Sequence, residues 1–107
     1  MRRLIFSLLL SLTAPYVFAE GGKFTVVGLN QLTCGKYVQD LASNQNGKAV
    51  YGWWIAGFVT GTNLVKDRIT TSDVPAHEVW LKNYCERNPL DPFIKAAIKL
   101  HETLDKR

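Results

Sequence analysis

The longest apolar stretch of the chain is a run of seventeen residues without a charge, 49–65, which lies between Lys48 and Lys66. At about 100° per residue, one helical face carries most of its large apolar side chains, and a second carries two glycines beyond Trp53. A helix that is apolar around most of its circumference is either buried in a core or placed in a membrane. The pattern predicts a helix over 49–65 with these two environments as alternatives.

A shorter helix is predicted before this run. Thr33 is a suitable N-cap for a helix over 34–43, which carries an apolar stripe at helical spacing. The dipeptide Asn46-Gly47 adopts positive φ readily, so we expect a turn over 44–47 that ends this helix.

Two amphipathic helices are predicted after the run. Ser72 or Asp73 caps the third helix, and Pro75 suits its first turn, where a missing N–H leaves no partner unsatisfied. This helix ends at Asn88, because a residue that precedes proline is disfavoured in the helical conformation. We expect Asp91 to cap the fourth helix, whose apolar positions recur at helical spacing: Phe93, Ala96, Ala97, Leu100 and Leu104.

The first nineteen residues have the pattern of a secretory signal peptide. Arg2 and Arg3 precede an apolar run, and Val17-Phe-Ala19 is a small-x-small cleavage site. Cleavage there leaves one domain over 20–107. It also leaves eleven of the 13 basic residues against nine acidic ones, so the formal charge falls from +4 to +2. This weak charge does not predict a nucleic-acid partner.

The remaining chain contains two cysteines, Cys34 and Cys85, which in an exported protein predict one disulfide. A membrane span at 49–65 would place the two thiols on opposite sides of the bilayer. We therefore expect a small orthogonal bundle of about four helices, closed by one disulfide, with an extended arm over 20–30. A single-pass membrane protein with its span at 49–65 is the alternative.

Residues with catalytic or metal-binding chemistry are sparse. His77 and His101 are the only histidines, and we expect both to lie on the surface. No cluster of metal ligands and no pair of carboxylates poised for acid–base catalysis is evident. The sequence therefore predicts a protein that binds rather than catalyses, without a metal or a cofactor.

The glycines of the apolar run indicate a close approach of some other group. Gly57 and Gly61 share a face, and each destabilises a helix interior by roughly 0.5–1 kcal/mol relative to alanine. Either another backbone packs on them, with Trp53 at the edge, or they form the floor of a binding site. The candidate partner-binding surface consists of Trp53, Trp54, Gly57, Phe58 and Gly61.

Several segments of the chain resemble a known family. They are Leu32-Thr-Cys-Gly-Lys-Tyr37, Trp54-Ile-Ala-Gly-Phe-Val-Thr-Gly-Thr-Asn63, Trp80-Leu-Lys-Asn-Tyr-Cys85 with Asn88-Pro89, and a final helix with Ala96-Ala97. Together they resemble the HdeA/HdeB family, small exported helical proteins of proteobacteria with one disulfide. The resemblance implies a periplasmic, acid-activated chaperone that loosens on protonation and exposes apolar surface, here around Trp54 and Phe58, to unfolded clients. The glycine-rich segment 53–63 and the slightly basic charge depart from that family.

A second likeness implies a different partner. Segments 51–61, 79–89 and 93–104 are similar to the type VI secretion amidase-immunity (Tai) family, exported helical proteins that block a toxic peptidoglycan amidase. The further cysteines usual in that family are absent from this sequence. The expected partners are therefore unfolded clients or, alternatively, a secreted amidase. A homodimer is a further expectation, and the mature form is expected to contact no membrane.

Overall fold

The computed structural model of the protein describes residues 24–29, 31–43 and 45–106. These residues form four helices: α1 (Cys34–Ser43), α2 (Gln45–Lys66), α3 (Val74–Arg87) and α4 (Phe93–Asp105). The only extended pairing within this part of the chain is an isolated bridge between Thr33 and Pro92. The all-helical prediction is confirmed. The predicted signal peptide, 1–19, lies outside the described residues.

Two of the three predicted N-caps are confirmed. The Thr33 hydroxyl accepts a hydrogen bond from the Lys36 N–H at 3.1 Å, and the Asp73 carboxylate accepts one from the Ala76 N–H at 3.0 Å. The predicted Asp91 cap is wrong, because Pro92 occupies the N-cap position of α4 and makes no side-chain bond. The Asp91 carboxylate bonds to α3 instead, as described below.

The start of α2 also differs from the expectation. We predicted a turn over 44–47, but α2 begins at Gln45, so that Asn46 and Gly47 belong to its first turn. The first N–H groups of a helix need no intrahelical partner, and residue propensities are weak enough for tertiary context to override them. α2 therefore spans 22 residues rather than the seventeen of the uncharged run.

All four helices contribute to one core. Tyr37, Ile55, Leu81 and Phe93, one from each helix in turn, are among the largest fully buried side chains. The Tyr37 ring lies 4.6 Å from the ring of Phe93 and meets Tyr51 edge-on at 5.2 Å, centroid to centroid. This aromatic cluster joins α1, α2 and α4, and α3 closes it from the remaining side.

The predicted disulfide is confirmed. The Cys34–Cys85 bond joins the first turn of α1 to α3, and both residues are fully buried. Beside it, the Cys34 N–H donates to the Asp91 carbonyl at 2.8 Å, and the Gly35 N–H donates to the Pro89 carbonyl at 2.9 Å. A Cβ at Gly35 would lie 3.2 Å from the Pro89 oxygen, so glycine permits this approach. The connection before α4 thus supplies partners to helix-terminal N–H groups.

Candidate binding surface

α2 buries one stripe and leaves its opposite side in solvent. Tyr51, Ile55 and Val59 are buried, whereas Trp53 and Leu64 are 80% and 82% exposed. The expectation that the apolar circumference is buried is therefore wrong for this side. The other helices can cover only one side of α2, so its remaining apolar positions face outward. We call the exposed set the outer face of α2: Val50, Trp53, Gly57, Gly61 and Leu64.

The two glycines of the outer face are open. A Cβ built at Gly57 or Gly61 would meet no atom of the described residues within 4 Å. Among the described residues no other backbone packs on them, so the packing interpretation is wrong for this part of the chain. Instead they form the floor of a shallow groove of about 430 Å³, walled by Phe58, Val65 and His101 among others. The alternative, a binding-site floor, stays a prediction.

Replacement of either open glycine by alanine is expected to stabilise the fold. With no neighbour to strike, G57A and G61A should each raise the free energy of unfolding by about 0.8–1 kcal/mol, the difference in helix propensity between the two residues. Urea denaturation measures this. G52A is the matched control, because its Cβ would lie 2.5 Å from the Glu78 Oε1 atom and Glu78 would have to move. Destabilisation by G57A and G61A would mean that a group approaches the glycines after all.

Trp54 and Phe58 lie on a neighbouring side of α2, turned toward the N-terminal arm. Their rings are stacked with centroids 5.4 Å apart, and both side chains are half-buried. The Trp54 indole N–H donates to the Val27 carbonyl at 2.8 Å. The predicted surface therefore divides into two adjacent parts, the outer face with Trp53 and a second area around Trp54.

This second area is an apolar groove between α2 and α4 with the arm above it. It encloses about 460 Å³ and is lined by arm residues 24–27 on one side and by helix residues on the other. We call it the arm groove, and its helix residues are Trp54, Phe58, Thr62, Ile94, Ile98 and His101. Phe58, Thr62 and His101 also line the groove over the glycines, so the two areas are continuous.

A half-buried arginine, Arg68, fixes the far end of α2 against α4. The Arg68 side chain is only 11% exposed and donates to Asn63 Oδ1 at 2.8 Å, to the His101 carbonyl at 3.2 Å and to Asp105 Oδ1 at 2.6 Å. Burial alone would raise the pKa of Asp105, but the Arg68 hydrogen bond and the nearby cationic groups lower it overall. No sequence spacing indicated this cluster, because its members come from three separate segments.

Two further carboxylates join separate elements. The Tyr51 hydroxyl on α2 donates to Asp40 Oδ2 on α1 at 2.5 Å, and the Tyr84 hydroxyl on α3 donates to Asp91 Oδ2 at 2.7 Å. Hydrogen bonds from Lys36 and Tyr51 lower the pKa of Asp40, and the bond from Tyr84 lowers that of Asp91. Conversely, burial and the Asp40 bond raise the pKa of Tyr51 to about 12.

His77 is buried, so the expectation of a surface histidine is wrong for it. Its side chain is 4% exposed, its Nε2 atom lies 2.7 Å from the Ser72 hydroxyl, and its Nδ1 atom has no partner among the described residues. Burial lowers the pKa of His77; the Asp73 charge opposes this effect and the Arg68 charge adds to it. His101 is half-buried beside Arg68.

The described residues contain no group of three His, Cys, Asp or Glu side chains that could hold a metal ion. The span considered for 49–65 belongs to α2, and within the described ranges no helix is both long and apolar enough to cross a membrane. The arrangement offers apolar surface and a set of carboxylate hydrogen bonds between elements, at Asp40, Asp91 and Asp105, which we call the ties.

Comparison of the chain with protein-family models, with curated proteins and with solved structures finds no match. The protein is therefore classified by its fold alone, as a four-helix domain closed by a disulfide.

Proposed function

We propose that this protein is a non-enzymatic, periplasmic chaperone that binds unfolded proteins through apolar surface and is activated by acid. The observation that carries the binding part is the outer face of α2, where Trp53 and Leu64 are 80% and 82% exposed beside two open glycines. Contiguous exposed apolar surface of this kind is typical of protein interaction sites. The arm groove extends the same apolar surface onto α4.

The ties between elements support the acid trigger. Asp40, Asp91 and Asp105 each accept a hydrogen bond from another element, and the pKa of each is lowered below its ordinary value of 3.8. A carboxylate whose pKa is depressed by folding stabilises the folded state above about pH 4, and that contribution is lost as the pH falls through the lowered pKa. Acid therefore weakens all three ties together.

His77 acts in the same direction at higher pH. Its pKa in the folded protein lies below the ordinary value of 6.5, so the unfolded chain binds a proton that the buried ring does not. Stability consequently begins to fall once the pH drops below about 6.5. The Cys34–Cys85 disulfide is unaffected by protons and keeps α1 joined to α3 while these contacts weaken.

The compartment and the chaperone type rest on the sequence. The signal-peptide pattern of 1–19 favours export, and a disulfide is typical of an oxidising compartment such as the periplasm. The residue pattern around Cys34, Trp54 and Trp80 that resembles the HdeA/HdeB family supports an acid-activated chaperone. Amidase inhibition, the function that the Tai resemblance implies, gains no specific support from the geometry.

The proposal is tested by following aggregation of an acid-sensitive enzyme by light scattering at about pH 2.5 and about pH 7. We expect protection at the lower pH and none at the higher one. D40N and D105N should move the onset of protection to higher pH, because each already lacks one charged tie. E86Q is the matched control, since Glu86 forms an ion pair with Lys82, one turn away on α3, and with no other described residue. Equal protection at both pH values, or equal shifts in all three variants, would contradict acid activation through these ties.

A further inference from the structure

The arm, residues 24–29, has no regular secondary structure and is held loosely. Phe24 is 62% exposed and Val27 is 80% exposed, whereas only Val26 and Leu29 are half-buried. The backbone groups of residues 24–28 make no hydrogen bond to the backbone of another described residue. The arm therefore lies on the domain outside the backbone hydrogen bonds that join the other described segments.

One latch attaches the arm to α2. The Trp54 indole N–H donates to the Val27 carbonyl at 2.8 Å. The next residue, Gly28, has φ +94°, and a Cβ built on it would lie 3.4 Å from the Trp54 ring. A side chain at this position would be strained by the backbone conformation, while its Cβ would make an ordinary van der Waals contact with the ring. The latch therefore depends on the Trp54 indole and on glycine at position 28.

The arm does not fill the groove that it covers. About 460 Å³ remains between arm residues 24–27 and the helices, bounded mainly by Trp54, Phe58, Ile94 and Ile98. Space of this size, lined by aromatic and branched side chains, leaves room for further apolar side chains.

We propose that the arm is a displaceable cover, and that the arm groove binds an extended segment of another polypeptide rich in aromatic and β-branched residues. The chain's own Phe24-Thr-Val-Val27 is such a segment, and it lines the groove mouth without regular secondary structure. An incoming segment takes the arm's place by offering a backbone carbonyl to the Trp54 indole. This inference rests on the proposed function and specifies which part of a client is recognised.

The test uses the full chain at about pH 7 with a fluorescent peptide that carries the sequence of residues 24–29. In G28A the strained arm opens while Trp54 stays available, so the Trp54 indole hydrogen should exchange with solvent at least fivefold faster. The peptide should bind at least fivefold more tightly, because a larger fraction of the protein is competent to bind. A peptide with both valines replaced by aspartate should not bind.

Two tryptophan variants separate the latch from general loosening. W54F lacks the indole N–H that bonds to the arm and would bond to the peptide. The W54F protein should therefore bind the peptide no more tightly than the wild type does. W80F is the matched control, because Trp80 also stacks on an aromatic neighbour, Tyr84, with centroids 5.5 Å apart, but does not line the groove. W80F should match the wild type both in the exchange rate of the Trp54 indole hydrogen and in its affinity for the peptide.

Three results would overturn the inference. These are unchanged Trp54 exchange in G28A, faster exchange without tighter peptide binding, and dimers of G28A in which the arm of one copy occupies the groove of another. A different result would contradict the proposed function alone: the peptide binds as expected, but client aggregation is not prevented at low pH. If clients are protected and the peptide does not bind, the arm groove is not their site and this inference alone is wrong.

Discussion

Reduction of the Cys34–Cys85 disulfide is expected to lower the free energy of unfolding by about 4 kcal/mol. The two cysteines are separated by 51 positions, and opening a loop of that length restores much of the conformational entropy of the unfolded chain. Domains of this size have a total stability of about 5–15 kcal/mol, so the reduced protein should be close to its unfolding threshold at neutral pH. Urea denaturation of the oxidised and reduced forms measures the difference.

The double variant C34A/C85A is the control for effects of the reductant itself. It should lose a similar amount of stability, with an added contribution from the space left by two buried sulfur atoms. A mass increase of two hydrogens on reduction establishes that the bond was present. A reduced protein with an unchanged denaturation midpoint would contradict the expectation and show that the packing of α1 on α3 suffices without the bond.

Replacement of Phe93 by alanine is expected to lower the free energy of unfolding by about 3–5 kcal/mol, the range for a fully buried phenylalanine. Its ring contacts that of Tyr37 at 4.6 Å and those of Trp54 and Tyr51 at 5.7 and 6.3 Å, centroid to centroid. One side chain at the start of α4 therefore supports α1 and α2 together.

I94A is the neighbouring control for this substitution. Ile94 is half-buried and lines the arm groove instead of the core, so its truncation should cost clearly less than that of Phe93. Denaturation midpoints of the two variants, measured with the disulfide intact, give the comparison. Equal losses would mean that the aromatic cluster does not have the central position that its burial indicates.

The sequence determined the local features of this protein. The apolar spacing of α4, the caps Thr33 and Asp73, and the end of α3 before Pro89 each depend on residues within a few positions of one another. The two cysteines likewise indicated their pairing, because a chain with two cysteines has one intramolecular choice. For the helix features, the residues that cause them lie within one or two helical turns of one another. For the disulfide, the number of cysteines leaves one possible pair. Both can therefore be read from the sequence.

Other local signals did not determine the structure that forms. Asn46-Gly47 is a strong turn signal, yet both residues lie in α2. Asp91 is a good capping residue, yet its carboxylate accepts the Tyr84 hydroxyl. His77 was expected on the surface, yet it is buried against the segment that contains Ser72. For Asp91 a partner from another element, Tyr84, determines the outcome, and no spacing along the chain shows that partner.

The candidate site divides in the same way. The sequence alone indicated the apolar character of α2, because the lack of charge between Lys48 and Lys66 is visible without a fold. It did not indicate that the arm and the α4 residues Ile94 and Ile98 line the adjoining groove. It could not determine which side of α2 is covered, since that depends on where the other three helices pack. Only the tertiary structure left Gly57 and Gly61 open, placed Trp54 beneath the arm and brought Arg68 to Asp105. The physical reason is that periodicity sets the faces of a helix, whereas burial of a face requires a partner from elsewhere in the chain.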